Sequence, residues 1–188
     1  MRTVMPSRSN PDRADAARER LRRRYRPAKV TILFVGESPP ASGRFFYQAD
    51  SGLYHAVRRT FIPTFPELED VDFLDAFRAL NCFLVDLCGR PVDHMDRKER
   101  AKTCDAAVIR LSRMIRQLQP RIIVTLVRSI AVNVRRAELL AGWRGERVEL
   151  PYPGRWKKHR LEFSAGLTPV LQRALREKVG KLTTAHRN

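Results

Sequence analysis

The stretch Lys29–Gly52, KVTILFVGESPPASGRFFYQADSG, decides how the chain is read. It begins with a continuous apolar, β-branched run, KVTILFVG (29–36), that stops at a glycine. A strand covered on both faces, as in a parallel sheet, has this unbroken pattern, whereas a strand with one wet face alternates. The exit from the run is elaborate: Glu37, Ser38, Pro39, Pro40, Gly43, Arg44 and the aromatic triplet Phe45, Phe46 and Tyr47. Neither GxGxxG nor GxxxxGK with a following Ser or Thr occurs there, so it is not a phosphate loop. The aromatics either pack back onto the core or form a platform on which a base stacks.

Outside this stretch, apolar spacing predicts a basic helix over 12–25, helices over 52–61, 70–80, 97–119, 129–140 and 164–178, and strands over 81–87, 121–127 and 147–150. Phe73, Phe77 and Leu80 recur at helical spacing, as do Val108, Leu111, Ile115 and Leu118. Ser164 is the expected N-cap of the last helix. The helix over 12–25 has few apolar positions and reads as a solvated face or a phosphate-facing arm. Strands and helices alternate, which predicts a three-layer α/β/α fold on a four-stranded parallel sheet. The expected organisation is a basic arm over 1–27, disordered over 1–11, one domain over 28–182 and a disordered tail over 183–188. Such sheets bind ligands outside the carboxyl ends of their strands. GESPPASGRFFY, DLCGRPVD and PYPGRWKKHR all fall on that edge, which predicts one shared site.

The 188 residues, 43% hydrophobic, are enough for one domain with a real core. The longest apolar runs are too short to cross a bilayer, and MRTVMPSRSNPDRAD has no apolar signal core. The expected location is cytoplasmic and nucleoid-associated, with no membrane partner. Thirty-seven Lys and Arg against twenty Asp and Glu give a net charge of +17. That surplus attracts polyanions, nucleic acid first and an anionic membrane surface second. Three cysteines without a CxxC pair predict no disulfide. A monomer is expected.

The motifs resemble the uracil-DNA glycosylase superfamily over about residues 29–175. VGESPP is similar to that family's first motif, a strand ending in Gly-x-Asp/Asn/Ala-Pro, and SGRFF resembles the TGRPF that follows in its iron-sulfur branch. QPRIIVTLVRSIAVNV resembles the segment before the last motif, and YPG (152–154) falls where HPS is usual. The resemblance implies a four-stranded parallel sheet flanked by helices. It also implies a protein that binds DNA, flips a base from the duplex and hydrolyses its N-glycosidic bond. Bond cleavage leaves a cationic sugar and an anionic base. The site therefore needs a group that places water or stabilises the cation, a donor for the departing base and a stacking ring.

Carried onto this sequence, the resemblance makes Glu37, Ser38 and Tyr152 the catalytic candidates and Gly36, Phe46 and Asp86 the base-binding ones. Phe46 would stack on the base. Glu37 either orients water or caps a neighbouring turn, and Ser38 stands where active branches have Asp or Asn. Asp86 stands where Asn usually pairs with uracil. An ionised Asp offers acceptors only, so it favours a base edge bearing N–H donors, unless burial keeps it protonated or it bonds the next loop. Tyr152 replaces a His and Gly154 a Ser. Arg44, Arg155, Trp156, Lys157, Lys158 and His159, with Arg160, are the DNA-binding candidates, cations around an aromatic wedge. Cys88 and Cys104 match the last two cluster ligands of the iron-sulfur branch, but no cysteine precedes Cys82. No cofactor and no metal are expected, since a four-iron cluster takes four thiolates. Two other readings stay open: a non-catalytic nucleic-acid-binding module on the same fold, and a Rossmann-like enzyme for an anionic metabolite, which the missing phosphate loop disfavours.

Overall fold

The computed structural model describes residues 11–187 except Arg155, with side chains over 13–182. Four strands, β1 (Ile32–Gly36), β2 (Cys82–Asp86), β3 (Ile122–Thr125) and β4 (Glu146–Glu149), form one parallel sheet in the order β2-β1-β3-β4. All of β1, β2 and β3 is buried, which is why they read as unbroken apolar runs. β4 is a half-exposed edge strand. Its polar side chains are satisfied by ion pairs: Glu146 with Arg173, Arg147 with Glu138 and Glu149 with Arg135.

The helices are α1 (Pro11–Arg24), α2 (Gly52–Thr64), α3 (Phe73–Ala79), α4 (Arg97–Leu118), α5 (Ala131–Ala141) and α6 (Lys157–Arg187). Right-handed crossovers place α4 and α5, which pack on each other, on one face of the sheet, and α2, α3 and α6 on the other. Their starts are capped as side chains at such positions allow: Ser51 accepts from the Tyr54 N–H, Asp72 from Asp75, and Asp96 from Lys98 and Glu99. Phe34, Phe61, Phe73 and Phe77 form an aromatic cluster under α2 and α3.

Three expectations are corrected. The last helix begins at Lys157, so Ser164 is not its cap; the Ser164 hydroxyl instead shares a 3.0 Å hydrogen bond with Thr60 of α2. Helix also continues to Arg187, where a tail was expected; its stripe Phe163, Leu167, Leu171, Leu175 and Val179 is buried. Finally, α1 is not a wholly solvated arm. Tyr25, just beyond it, stacks on Tyr47 with ring centroids 5.6 Å apart, and Arg22 is only 9% exposed. Residues 1–10 of the expected disordered start lie outside the described residues.

Tyr47 belongs to a short 3-10 turn, Phe46–Gln48, that lets Phe45, Phe46 and Tyr47 all turn inward. Its buried hydroxyl donates to the Leu84 carbonyl at 3.0 Å and accepts from the Leu84 N–H at 2.7 Å. Both main-chain groups of that β2 residue are thereby paired by one side chain.

Candidate active site

The carboxyl ends of the four strands converge on a cavity of about 520 Å³. Of the residues singled out from sequence, Gly36, Glu37, Ser38, Arg44, Phe46, Asp86 and Tyr152 all line it. Gly36 and Asp86 are the last residues of the paired strands β1 and β2 and lie in register with each other. The strands are added to one side of β1 first, as β2, and then to the other, as β3 and β4, which makes the carboxyl end of β1 and β3 the switch point of the sheet, where α/β folds leave a crevice.

Asp86 is 5% exposed. Its Oδ2 accepts from the Arg22 guanidinium at 2.9 Å. Its Oδ1 lies against Gly36, where a Cβ would stand 2.9 Å away, so only glycine leaves room for this carboxylate. Arg110 donates to the main-chain carbonyls of Asp86 and Leu87, the latter at 2.8 Å, and so fixes the end of β2. Burial pushes the Asp86 carboxyl above its ordinary range, and Arg22 and Arg110 oppose that push.

Glu37 neither stands free nor caps a turn. Arg100 of α4 grips both its oxygens: Nε donates to Oε1 at 2.7 Å and Nη2 to Oε2. The carboxylate keeps its remaining lone pairs for the cavity, and the fork fixes its orientation. The same contact raises the Arg100 guanidinium above its ordinary range. Ser38 Oγ accepts from the Val92 N–H at 3.3 Å, tying the β1 exit to the loop after β2. Asp93 makes a second tie, accepting from the Ala41 N–H at 3.1 Å.

Phe46 is 3% exposed, held edge-on by Tyr47 and Tyr54 and tilted against Phe77. It is a core residue that also forms cavity wall, rather than an open platform. Tyr152, 46% exposed, stands at the mouth, and partial burial keeps its phenol above the ordinary range and therefore neutral. Trp156, Lys157, Lys158 and His159 do not line the cavity. They follow Tyr152 into the first turn of α6, with Trp156 64% exposed and both lysines exposed. Arg160 donates to the Gly154 carbonyl at 3.0 Å. Arg155 lies outside the described residues.

Cys88 and Cys104 are neighbours, their sulfurs 3.6 Å apart, and Cys104 Sγ lies 3.9 Å from Glu37 Oε1. Burial and the adjacent thiol push Cys88 up to about 12. Cys82 sits apart in β2. Among the described residues no three His, Cys, Asp or Glu side chains are grouped to hold a metal ion, and no helix is long and apolar enough to cross a membrane.

Arg22, Arg100 and Arg110 are the site residues that sequence reasoning missed. The available signal was chemical: two carboxylates proposed for one cavity, Glu37 and Asp86, favour cations nearby. Nothing in a single sequence says which of thirty-seven Lys and Arg supply them. No family model matches the chain, and no curated protein matches its sequence.

Proposed function

We propose that this chain is a DNA-binding protein of the uracil-DNA glycosylase type that hydrolyses the N-glycosidic bond of a flipped, damaged or deaminated base. One observation carries the reading. Residues picked out by motif order alone, from Gly36 to Tyr152, line one cavity of about 520 Å³. Its size is that of a small-molecule pocket.

In this reading the base enters past Tyr152 and lies against Phe46. Asp86, an acceptor, takes an N–H or amino group from the base edge. Glu37, aimed by Arg100, orients the attacking water and offsets the developing sugar cation. Tyr152, neutral, donates to the departing base. Lys157 and Lys158 support the DNA contact: they stand at the positive end of the α6 dipole, where cations are disfavoured unless a polyanion faces them.

A second reading is a nucleic-acid-binding module without catalysis. The grip of Arg100 on both Glu37 oxygens and the burial of Phe46 favour it. Single-turnover cleavage assays separate the two. The substrates are oligonucleotides carrying uracil, hypoxanthine, xanthine, a thymine mismatch or an alkylated base, with Glu37→Gln and Asp86→Asn run beside the parent. Cleavage of one base, lost in Glu37→Gln, supports the enzyme. Salt-sensitive DNA binding with no cleavage of any base supports the module. No DNA binding overturns both.

A further inference from the structure

The two oxygens of Asp86 have different surroundings. Leu84 and Asp86 are next but one on β2, so their side chains leave the same face of the sheet, and both residues line the cavity. Oδ2 is held by Arg22 at 2.9 Å. Oδ1 stands beside Gly36, which has no side chain to cover it. Arg22 is itself fixed. Its Nη1 donates to Glu19 at 2.8 Å, its Nη2 to Asp86, and its guanidinium carbon lies 5.3 Å from the centre of the ring of Phe45, another cavity residue. The basic helix α1 thus acts on the cavity through Arg22.

The charge state of Asp86 decides what it can bind. A guanidinium within hydrogen-bond reach favours the charged form, and a carboxylate only accepts hydrogen bonds. Deprived of that cation, a buried carboxyl takes up a proton rather than stay charged away from water, and it then donates as well. An exocyclic amino group on a base suits the first form. A ring carbonyl suits the second, because a carbonyl set against a carboxylate brings two acceptors together and leaves both unpaired.

We propose that Arg22 is a specificity-determining residue: by holding Asp86 as an acceptor, it fits the cavity to a base that keeps an exocyclic amino group and turns away the oxo bases that deamination leaves. Arg22 touches no base itself and acts through Asp86. Within the glycosylase reading, on which the cleavage part of this inference rests, the preferred lesion is an alkylated or oxidised base that retains its amino group, rather than uracil, hypoxanthine or xanthine.

Nucleoside pairs that differ in this group test the inference without any bond cleavage: deoxycytidine against deoxyuridine, and deoxyadenosine against deoxyinosine, titrated into the full chain by ligand-observed NMR. The parent is expected to bind the amino member of each pair about tenfold more tightly. Arg22→Met abolishes or inverts that ratio. Arg22→Gln, a milder change that keeps a donor and loses the charge, does the same should Arg22→Met fail to fold. Arg22→Lys, which keeps the cation, retains the preference. So does Arg23→Gln, which removes an exposed cation of the same helix. A merely structural role for Arg22 would weaken both members alike and leave the ratio unchanged. Equal affinities in the parent, no binding of any of these nucleosides, or a preference that survives Arg22→Gln overturns the proposal. The oligonucleotide cleavage panel reports separately. Cleavage without an amino preference refutes this inference and spares the glycosylase reading. An amino preference without cleavage refutes the glycosylase reading and leaves Arg22 setting the specificity of a base-binding module.

Discussion

Arg22 and Asp86, 64 positions apart in sequence, meet in an ion pair of 2.9 Å with both side chains nearly shut off from water. Removing one partner strands the other. Arg22→Met is expected to cost about 3–5 kcal/mol of unfolding free energy. The sign of its pH dependence follows from Asp86. Burial raises its folded-state pKa above the unfolded one, so the folded state holds more protons between the two, and stability falls as pH rises through that window. Without Arg22 the window widens upward. The deficit of Arg22→Met is therefore larger at about pH 8 than at about pH 5, as urea unfolding at both values would measure. A deficit independent of pH would mean that the stranded charge is not its cause.

Gly36 and Asp86 are coupled sterically. Gly36→Ala places a methyl 2.9 Å from Asp86 Oδ1, and the other oxygen of that carboxylate, Oδ2, is held by Arg22, which opposes a swing away from the methyl. The expected cost is about 1–3 kcal/mol. In an Asp86→Ala background the same substitution is close to neutral, a coupling of about 0.5–3 kcal/mol in a double-mutant cycle. Additive effects would place the strain of Gly36→Ala elsewhere.

Arg100 is a positioning residue for Glu37. If the cavity hydrolyses glycosidic bonds, Glu37→Gln lowers the single-turnover rate by about 10²- to 10⁴-fold. Arg100→Gln also lowers it, and Arg100→Lys recovers part of the loss, because lysine keeps the charge but not the two-pronged grip. Equal rates for Arg100→Lys and Arg100→Gln would deny the charge any part in aiming Glu37.

All three thiols are buried and shifted away from thiolate, Cys88 to about 12. The thiolate is the reactive form. An aromatic disulfide reagent at about pH 8 should therefore label none of them in the native chain and all three after denaturation. Rapid labelling of Cys88 or Cys104 in the native chain would show that the wall behind Glu37 opens.

The sheet was legible in the sequence because burial on both faces leaves an unbroken apolar run, as in KVTILFVG and RIIVTLV. The cavity lining was legible because the strands end together, so their exit loops had to meet. The start of α6 was not, because Pro151, Pro153 and Gly154 read as a loop that carries on through the basic run, whereas the helix begins at Lys157, three residues after Gly154. The docking of α1 was not legible either. It rests on one tyrosine stack and one buried arginine, while its remaining residues look like a wet helix. The Glu37–Arg100 grip joins residues 63 apart, a long-range choice of partner that spacing does not encode.

The hydroxyl of Tyr47, bonded to both main-chain groups of Leu84, has a consequence for solubility. The strand order leaves β2 without a neighbour on its outer side, and an open strand edge is a template for pairing with another copy of the chain. Tyr47 occupies the place of that missing neighbour, and Tyr25 lies flat over Tyr47. Tyr47, with Tyr25 at the end of the basic helix stacked on it, thus blocks edge-to-edge pairing at Leu84, the middle residue of the open strand.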